Sequence, residues 1–255
     1  MKNNMRIRLN ILLLFVSVAL AAQSGGDYFF DQGNAAYRDG DYNKAAEWYT
    51  RILDSGYEGS VVHYNLANCY YKLDELGLSI LHYEKALKLS PGDPEIRQNL
   101  NLANLNVKDR IEMPPAFFLL RWWESLKTAL TPSGWGKTLI LFYVLAMLLA
   151  TAALFLRGNA LRRWLWGGMT VAGTLALLAT LLMFIRMDQE TNHPAGVILV
   201  NQVTVLSAPD PNSTDVFVLH EGSRLTVEQF RGEWLQIRLP DGKSGWMKRE
   251  NVGVI

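Results

Sequence analysis

The sequence predicts a multi-domain membrane protein: an all-α helical-repeat solenoid, a two-helix transmembrane hairpin and a small all-β barrel, in that order. Three observations predict it. A polar region near the N-terminus matches itself when shifted by 34 residues. Two uncharged apolar stretches flank an arginine-rich turn in mid-chain. From Gly196 onward apolar and polar residues alternate with period two.

Composition narrows the functional classes. The formal net charge of the 255 residues is +1, so no broad basic face suits a nucleic acid. Cys69 is the one cysteine, which excludes an intrachain disulfide and reads as a buried structural thiol. His63, His82, His193 and His220 are scattered, with no pair at a metal-ligand spacing. The chain starts with Lys2, Arg6 and Arg8, then the apolar run Ile11 to Leu20 and the small-x-small pattern Ala19-Leu20-Ala21. This is a signal peptide over 1–21, with an uncleaved signal anchor as the alternative.

The repeat comes next. Gly33-Asn34 falls on Ala67-Asn68, Tyr37-Arg38 on Tyr71-Lys72, Ala45 on Ser79, Tyr49 on Tyr83, and Ile52-Leu53 on Ala86-Leu87. Paired antiparallel helices explain the spacing: small residues permit close approach, tyrosines fill the space between repeats, and Gly40-Asp41 and Asp74-Glu75 turn the chain. Pro91 closes the second unit. Gly33 to Asp54 and Ala67 to Pro91 resemble tetratricopeptide repeats, although Ala36 replaces a usual aromatic and Tyr57 a usual proline. Repeats over 26–59 and 60–93 are followed by a capping helix over 94–111. The resemblance implies a partner-binding groove that includes Asn34, Tyr37, Arg38, Asn65, Asn68, Tyr71 and Lys72. Tyr37 and Tyr71 serve either as contact residues or as internal packing. Phe30, Glu95 and Asn99 stand where a carboxylate clamp needs cations, so no such clamp is expected.

After Pro114-Pro115 the cluster from Phe117 to Trp123 predicts an interfacial helix over 116–130, or else a linker helix packed on the repeats. Thr138 to Leu156 and Trp164 to Ile185 are each uncharged and long enough to cross a bilayer. Arg157, Arg162 and Arg163 in the turn place it in the cytoplasm, with both flanking domains on the opposite side. That agrees with the signal peptide. Gly168, Ala172, Ala176 and Thr180 form a small-residue stripe that either closes the hairpin, against Ala146 and Ala150, or docks another membrane protein.

In the last region, over 196–255, about five short strands predict a small barrel. Gly222, Trp234, Asp241, Gly242, Gly245 and Trp246 resemble the pattern of a bacterial SH3 domain. That resemblance implies binding of cell-wall peptides or protein partners, with a ligand surface that includes Phe217, Phe230 and Trp246. Trp234 reads as core, and Phe217 and Phe230 suit either core or surface.

The combined order resembles the BatE-type proteins of the Bat (Bacteroides aerotolerance) operons. The resemblance implies a bacterial inner-membrane protein with two spans, periplasmic terminal domains and membrane partners carrying von Willebrand-type domains. It further implies a role in oxidative-stress tolerance or envelope maintenance. Binding of peptidoglycan through the SH3-like domain is the alternative. No G-x-S-x-G, H-E-x-x-H, C-x-x-C or phosphate-loop motif occurs, so no enzyme, catalytic residue, metal or cofactor is expected.

Overall fold

Apolar periodicity and turn residues divide the N-terminal region into five helices. The structure, a computed structural model, describes residues 26–111, 117–155 and 158–255, so the expected signal peptide lies outside the described residues. These residues divide into two compact units, one built from 26–87 and 95–107, the other from 88–94 and 108 onward.

In the first unit, α1 (26–38) pairs with α2 (Tyr42–Asp54), α3 (Ser60–Lys72) pairs with α4 (Leu76–Leu89), and α5 (Pro94–Asn104) follows. Asp41 caps α2 through its carboxylate, which accepts the Lys44 backbone N–H at 3.1 Å. Gly33 is required by its neighbour: a Cβ there would lie 2.7 Å from the Tyr49 ring. Ala36, Ala45, Tyr49, Ile52, Val62, Leu66 and Cys69 form one continuous core. The expected capping helix over 94–111 is shorter than its periodicity suggested. It stops at Asn104, because residues 108–111 make their contacts with the barrel of the second unit instead.

In the second unit, α6 (Phe118–Thr128) precedes α7 (Pro132–Phe155) and α8 (Asn159–Asn192). Thr131 caps α7: its hydroxyl accepts the Gly134 N–H at 3.1 Å, and Pro132 takes the first helical position. Both long helices are apolar enough to cross a membrane, with mean hydropathy of 2.4 and 2.0. They outrun the expected spans 138–156 and 164–185, because helix formation depends on backbone continuity and capping as well as on apolarity. At ~1.5 Å per residue α8 is ~51 Å long, so its polar last turns extend past any hydrocarbon core of roughly 30 Å.

The small-residue stripe closes the helix pair on itself. Ala172 and Ala176 are buried, and a Cβ on Gly168 would meet Leu149 of α7 at 3.3 Å. At the other end Trp135, Ala179 and Leu182 form a cluster against which Trp123 and Leu126 of α6 pack. Thus α6 packs on the helix pair, leaving Phe118, Leu119, Leu120 and Trp122 exposed.

The C-terminal region forms seven strands rather than five: β1 (Ala195–Ile198), β2 (Gln202–Leu206), β3 (Asp215–His220), β4 (Arg224–Arg231), β5 (Trp234–Arg238), β6 (Ser244–Lys248) and β7 (Val252–Val254). They run in the order β3-β2-β6-β5-β4-β1-β7, with every pairing antiparallel. The short terminal strands β1 and β7 pair with each other, a contact between sequence-distant segments that no local pattern announces. Gly245 permits the β2–β6 crossing, since a Cβ there would lie 2.5 Å from Val205 Cγ1. The core holds Ile198, Val205, Leu219, Leu225, Val227, Leu235, Ile237, Leu239, Met247 and Val252, and Ile111 packs against it from before α6.

Candidate functional site

Two surfaces present themselves, one in each unit. In the first, the repeat produces a matching set of polar bonds. The Tyr49 hydroxyl donates to Asn34 Oδ1 at 2.8 Å and also bonds Asn65 of the next repeat. One period later Tyr83 bonds Asn68 and Asn99. Burial pushes the Tyr49 hydroxyl up to about 12 and raises that of Tyr83 as well, so both remain neutral donors. Asn34, Asn65 and Asn68, expected in the partner groove, thus each bond a buried tyrosine.

The groove itself is a cavity of about 320 Å3, lined by Tyr37, Tyr64, Asn68, Tyr71, Lys72, Tyr83, Asn99 and Leu102. Tyr37, Asn68, Tyr71 and Lys72 of the expected set meet in it, while Arg38 lies exposed outside this lining. Tyr64, Tyr83, Asn99 and Leu102 are additions. The signal for two of them was present in the repeat: Tyr64 falls on Phe30, and Asn99 on Asn65. Asn99 donates to the Tyr64 hydroxyl at 2.8 Å, and Asn106 donates to Tyr71 at 3.3 Å. The rim thus offers phenol hydroxyls and one lysine, a chemistry suited to peptide amides and acidic side chains.

Packing also joins two histidines that sequence spacing kept apart. His63 on α3 and His82 on α4 stack with centroids 5.2 Å apart, and their Nδ1 atoms share a hydrogen bond of 2.9 Å. Tyr70 also stacks on His82, with ring centroids 5.5 Å apart. Burial lowers both imidazole pKa values, that of His82 to about 3, so the pair is neutral. Among the described residues no group of three or more His, Cys, Asp or Glu is arranged to hold a metal. Cys69 is fully buried, and burial pushes its thiol up to about 12, which fits a structural role.

On the barrel, the three expected ligand-surface residues sit in different local environments. Phe217, opposite buried Val205, packs against the core. Phe230 lies at the end of β4, half exposed, with the Arg249 guanidinium 5.7 Å from its ring centroid. Trp246 is half-buried on the outer face, opposite Gln236. Trp234, expected in the core, shares that outer face, because it alternates with the buried pair Leu235 and Ile237.

Asp109 makes a further cluster on the barrel. Its Oδ2 accepts the His220 backbone N–H and the Ser223 hydroxyl, both at 2.6 Å, while Oδ1 accepts His220 Nδ1 at 2.8 Å. Partial burial alone would raise the Asp109 pKa. The bonds from Ser223 and His220 outweigh it and hold the carboxyl below its usual range. Lys108 Nζ lies 2.9 Å from His220 Nε2. The serine bonds the carboxylate rather than the imidazole, so the cluster is a structural cap and not a nucleophile–base pair.

Comparison with known proteins agrees with both units. Residues 30–94 match the tetratricopeptide repeat family, and residues 201–253 match the bacterial SH3 domain family. Both are interaction modules, and no enzymatic family is indicated. Among solved structures, the first TPR of Spaghetti bound to an HSP90 peptide is 18% identical over 32% of this chain and 92% of its own, with a TM-score of 0.24. No curated protein matches.

Proposed function

We propose that this chain is a membrane-anchored scaffold that holds a tetratricopeptide groove and an SH3-like barrel on one face of a bacterial inner membrane, the periplasmic face. The observation that carries this reading is the clasp at Asp109. Residues 108–111 precede the two apolar helices and the barrel follows them, yet Asp109 and Ile111 dock on the barrel. A chain that leaves this surface and returns to it crosses a bilayer an even number of times, which two spanning helices satisfy. The arginine turn then lies in the cytoplasm, and the exposed aromatic face of α6 rests in the interface. The resemblance in domain order makes von Willebrand-type Bat proteins the proposed partners, in oxidative-stress tolerance or envelope maintenance.

Two measurements test the scaffold. A reporter inserted after Gly158 should behave as cytoplasmic and one at the C-terminus as periplasmic; the reverse pattern discards the topology. A photo-crosslinker replacing Lys72 should capture a membrane protein with a von Willebrand-type domain, and capture of none rejects the groove as a partner site.

The outer face of β5 and β6 favours a second reading, peptidoglycan binding. Trp234, Gln236 and Trp246 place two indoles around an amide, a surface that suits sugar rings and stem peptides. The full chain in detergent should sediment with purified peptidoglycan and lose retention in W234A/W246A. Equal retention of that variant rules the surface out. The full chain is needed because a barrel cut at Gly196 lacks Asp109 and Ile111.

A further inference from the structure

Residues on either side of the turn between α7 and α8, namely Ala153, Leu154, Asn159, Arg162, Arg163 and Trp166, line an open cavity of about 760 Å3. Both arginines are exposed. The charge around them is one-sided, because the sequence has no Asp or Glu between Glu124 and Asp188. Asp188 lies on the same helix as Arg162, ~39 Å away at ~1.5 Å per residue, well beyond a Debye length of roughly 8 Å. Helix stability does not account for the pair, since cations in a first turn oppose the helix dipole. The rim is also amphipathic: Leu154 and Trp166 present exposed apolar surface beside the guanidinium groups.

We propose that these lining residues bind the headgroup of an anionic phospholipid. Arg162 and Arg163 donate to the phosphodiester oxygens, for which the guanidinium fork is suited. The Asn159 amide serves the polar glycerol region, and Leu154 and Trp166 flank the start of the acyl chains. Free phosphate would use the arginines and leave the apolar rim unoccupied, so a lipid is the occupant that matches the whole cavity. The site rests on the hairpin reading above. That reading puts the turn at the cytoplasmic leaflet, where anionic lipid is concentrated.

The test uses the full-length chain in bilayer discs of mixed phosphatidylcholine and phosphatidylglycerol, followed by native mass spectrometry of the released protein. Retained phosphatidylglycerol should exceed its share in the disc about tenfold, a preference of ~1.4 kcal/mol. R162Q/R163Q should return it to that share, and K137Q, at the other end of α7, should leave the enrichment intact. No enrichment, equal enrichment in R162Q/R163Q, or displacement of the lipid by inorganic phosphate overturns the proposal. On the unmodified chain, a photoactivatable phosphatidylglycerol should label the peptide 153–166, and labelling only elsewhere refutes the site. Failure of the chain to enter the discs is read separately by co-migration. It would reject the hairpin itself and the lipid site with it.

Discussion

At the scale of single residues, the two repeats show what one position can cost. Gly40 and Asp74 occupy equivalent turns, and both adopt the left-handed region, with φ of 80° and 63°. Glycine does so freely, whereas a residue with a Cβ is strained. Asp74→Gly should therefore stabilise the helical unit by about 0.5–1 kcal/mol, read as a rise in urea midpoint; an unchanged or lower midpoint contradicts this. The His63–His82 pair sets a pH dependence of definite sign. Its folded pKa values lie below the unfolded value of about 6.5, so its contribution is complete above that pH and is lost as pH falls toward about 3. At pH 5 the loss from His82 alone amounts to about 2 kcal/mol. The melting temperature of the helical unit should fall between pH 7 and pH 5, and H63L/H82L should flatten that slope.

At the scale of elements, contact between α7 and α8 depends on side chains small enough to let the backbones approach. Gly168 sits against Leu149, and Ala172 and Ala176 are buried. Gly168→Leu should force the helices apart there and weaken the pair by about 1–3 kcal/mol, as overpacking does elsewhere. A disulfide-trapping pair one turn away, A146C with A172C, leaves Leu149 in place and reports the separation: crosslinking should drop when Gly168→Leu is added, and an unchanged yield would show that the stripe does not set the helix spacing. In the helical unit, the tyrosine–asparagine bonds recur at one period and hold α1 to α2 and α3 to α4. They give Asn34 and Asn68 a packing role beside neighbouring tyrosines, and Asn68 lines the groove as well.

For the whole molecule, the decisive contact is the carboxylate of Asp109 on the turn between β3 and β4. It joins a segment before the apolar helices to a domain after them, closing a loop of chain around the hairpin. Asp109→Asn replaces a charged acceptor and should cost about 1.5–3 kcal/mol locally. Hydrogen exchange at the His220 amide should quicken in that variant while the buried strand β5 stays protected. Exchange that does not change would mean the clasp adds nothing to the barrel. Because the Asp109 pKa is held below its usual value, the clasp is complete above about pH 4 and is lost as pH falls through the lower folded value.

The sequence by itself determined the order of parts. Period 34, two uncharged stretches and period-two alternation are local patterns, and each specifies an element through the geometry of helix or strand. The tetratricopeptide resemblance, rather than the period itself, pointed to Tyr37, Tyr71 and Lys72, which line one cavity. Only the tertiary structure decided what lies between distant positions: that Asn34 and Asn65 serve Tyr49, that His63 meets His82, that Phe217 turns inward while Trp234 turns outward, and that β1 pairs with β7. It also decided that residues 108–111 leave the helical repeats for the barrel. Periodicity assigns a side chain to a face, whereas its partner on that face is set by packing between segments remote in the chain.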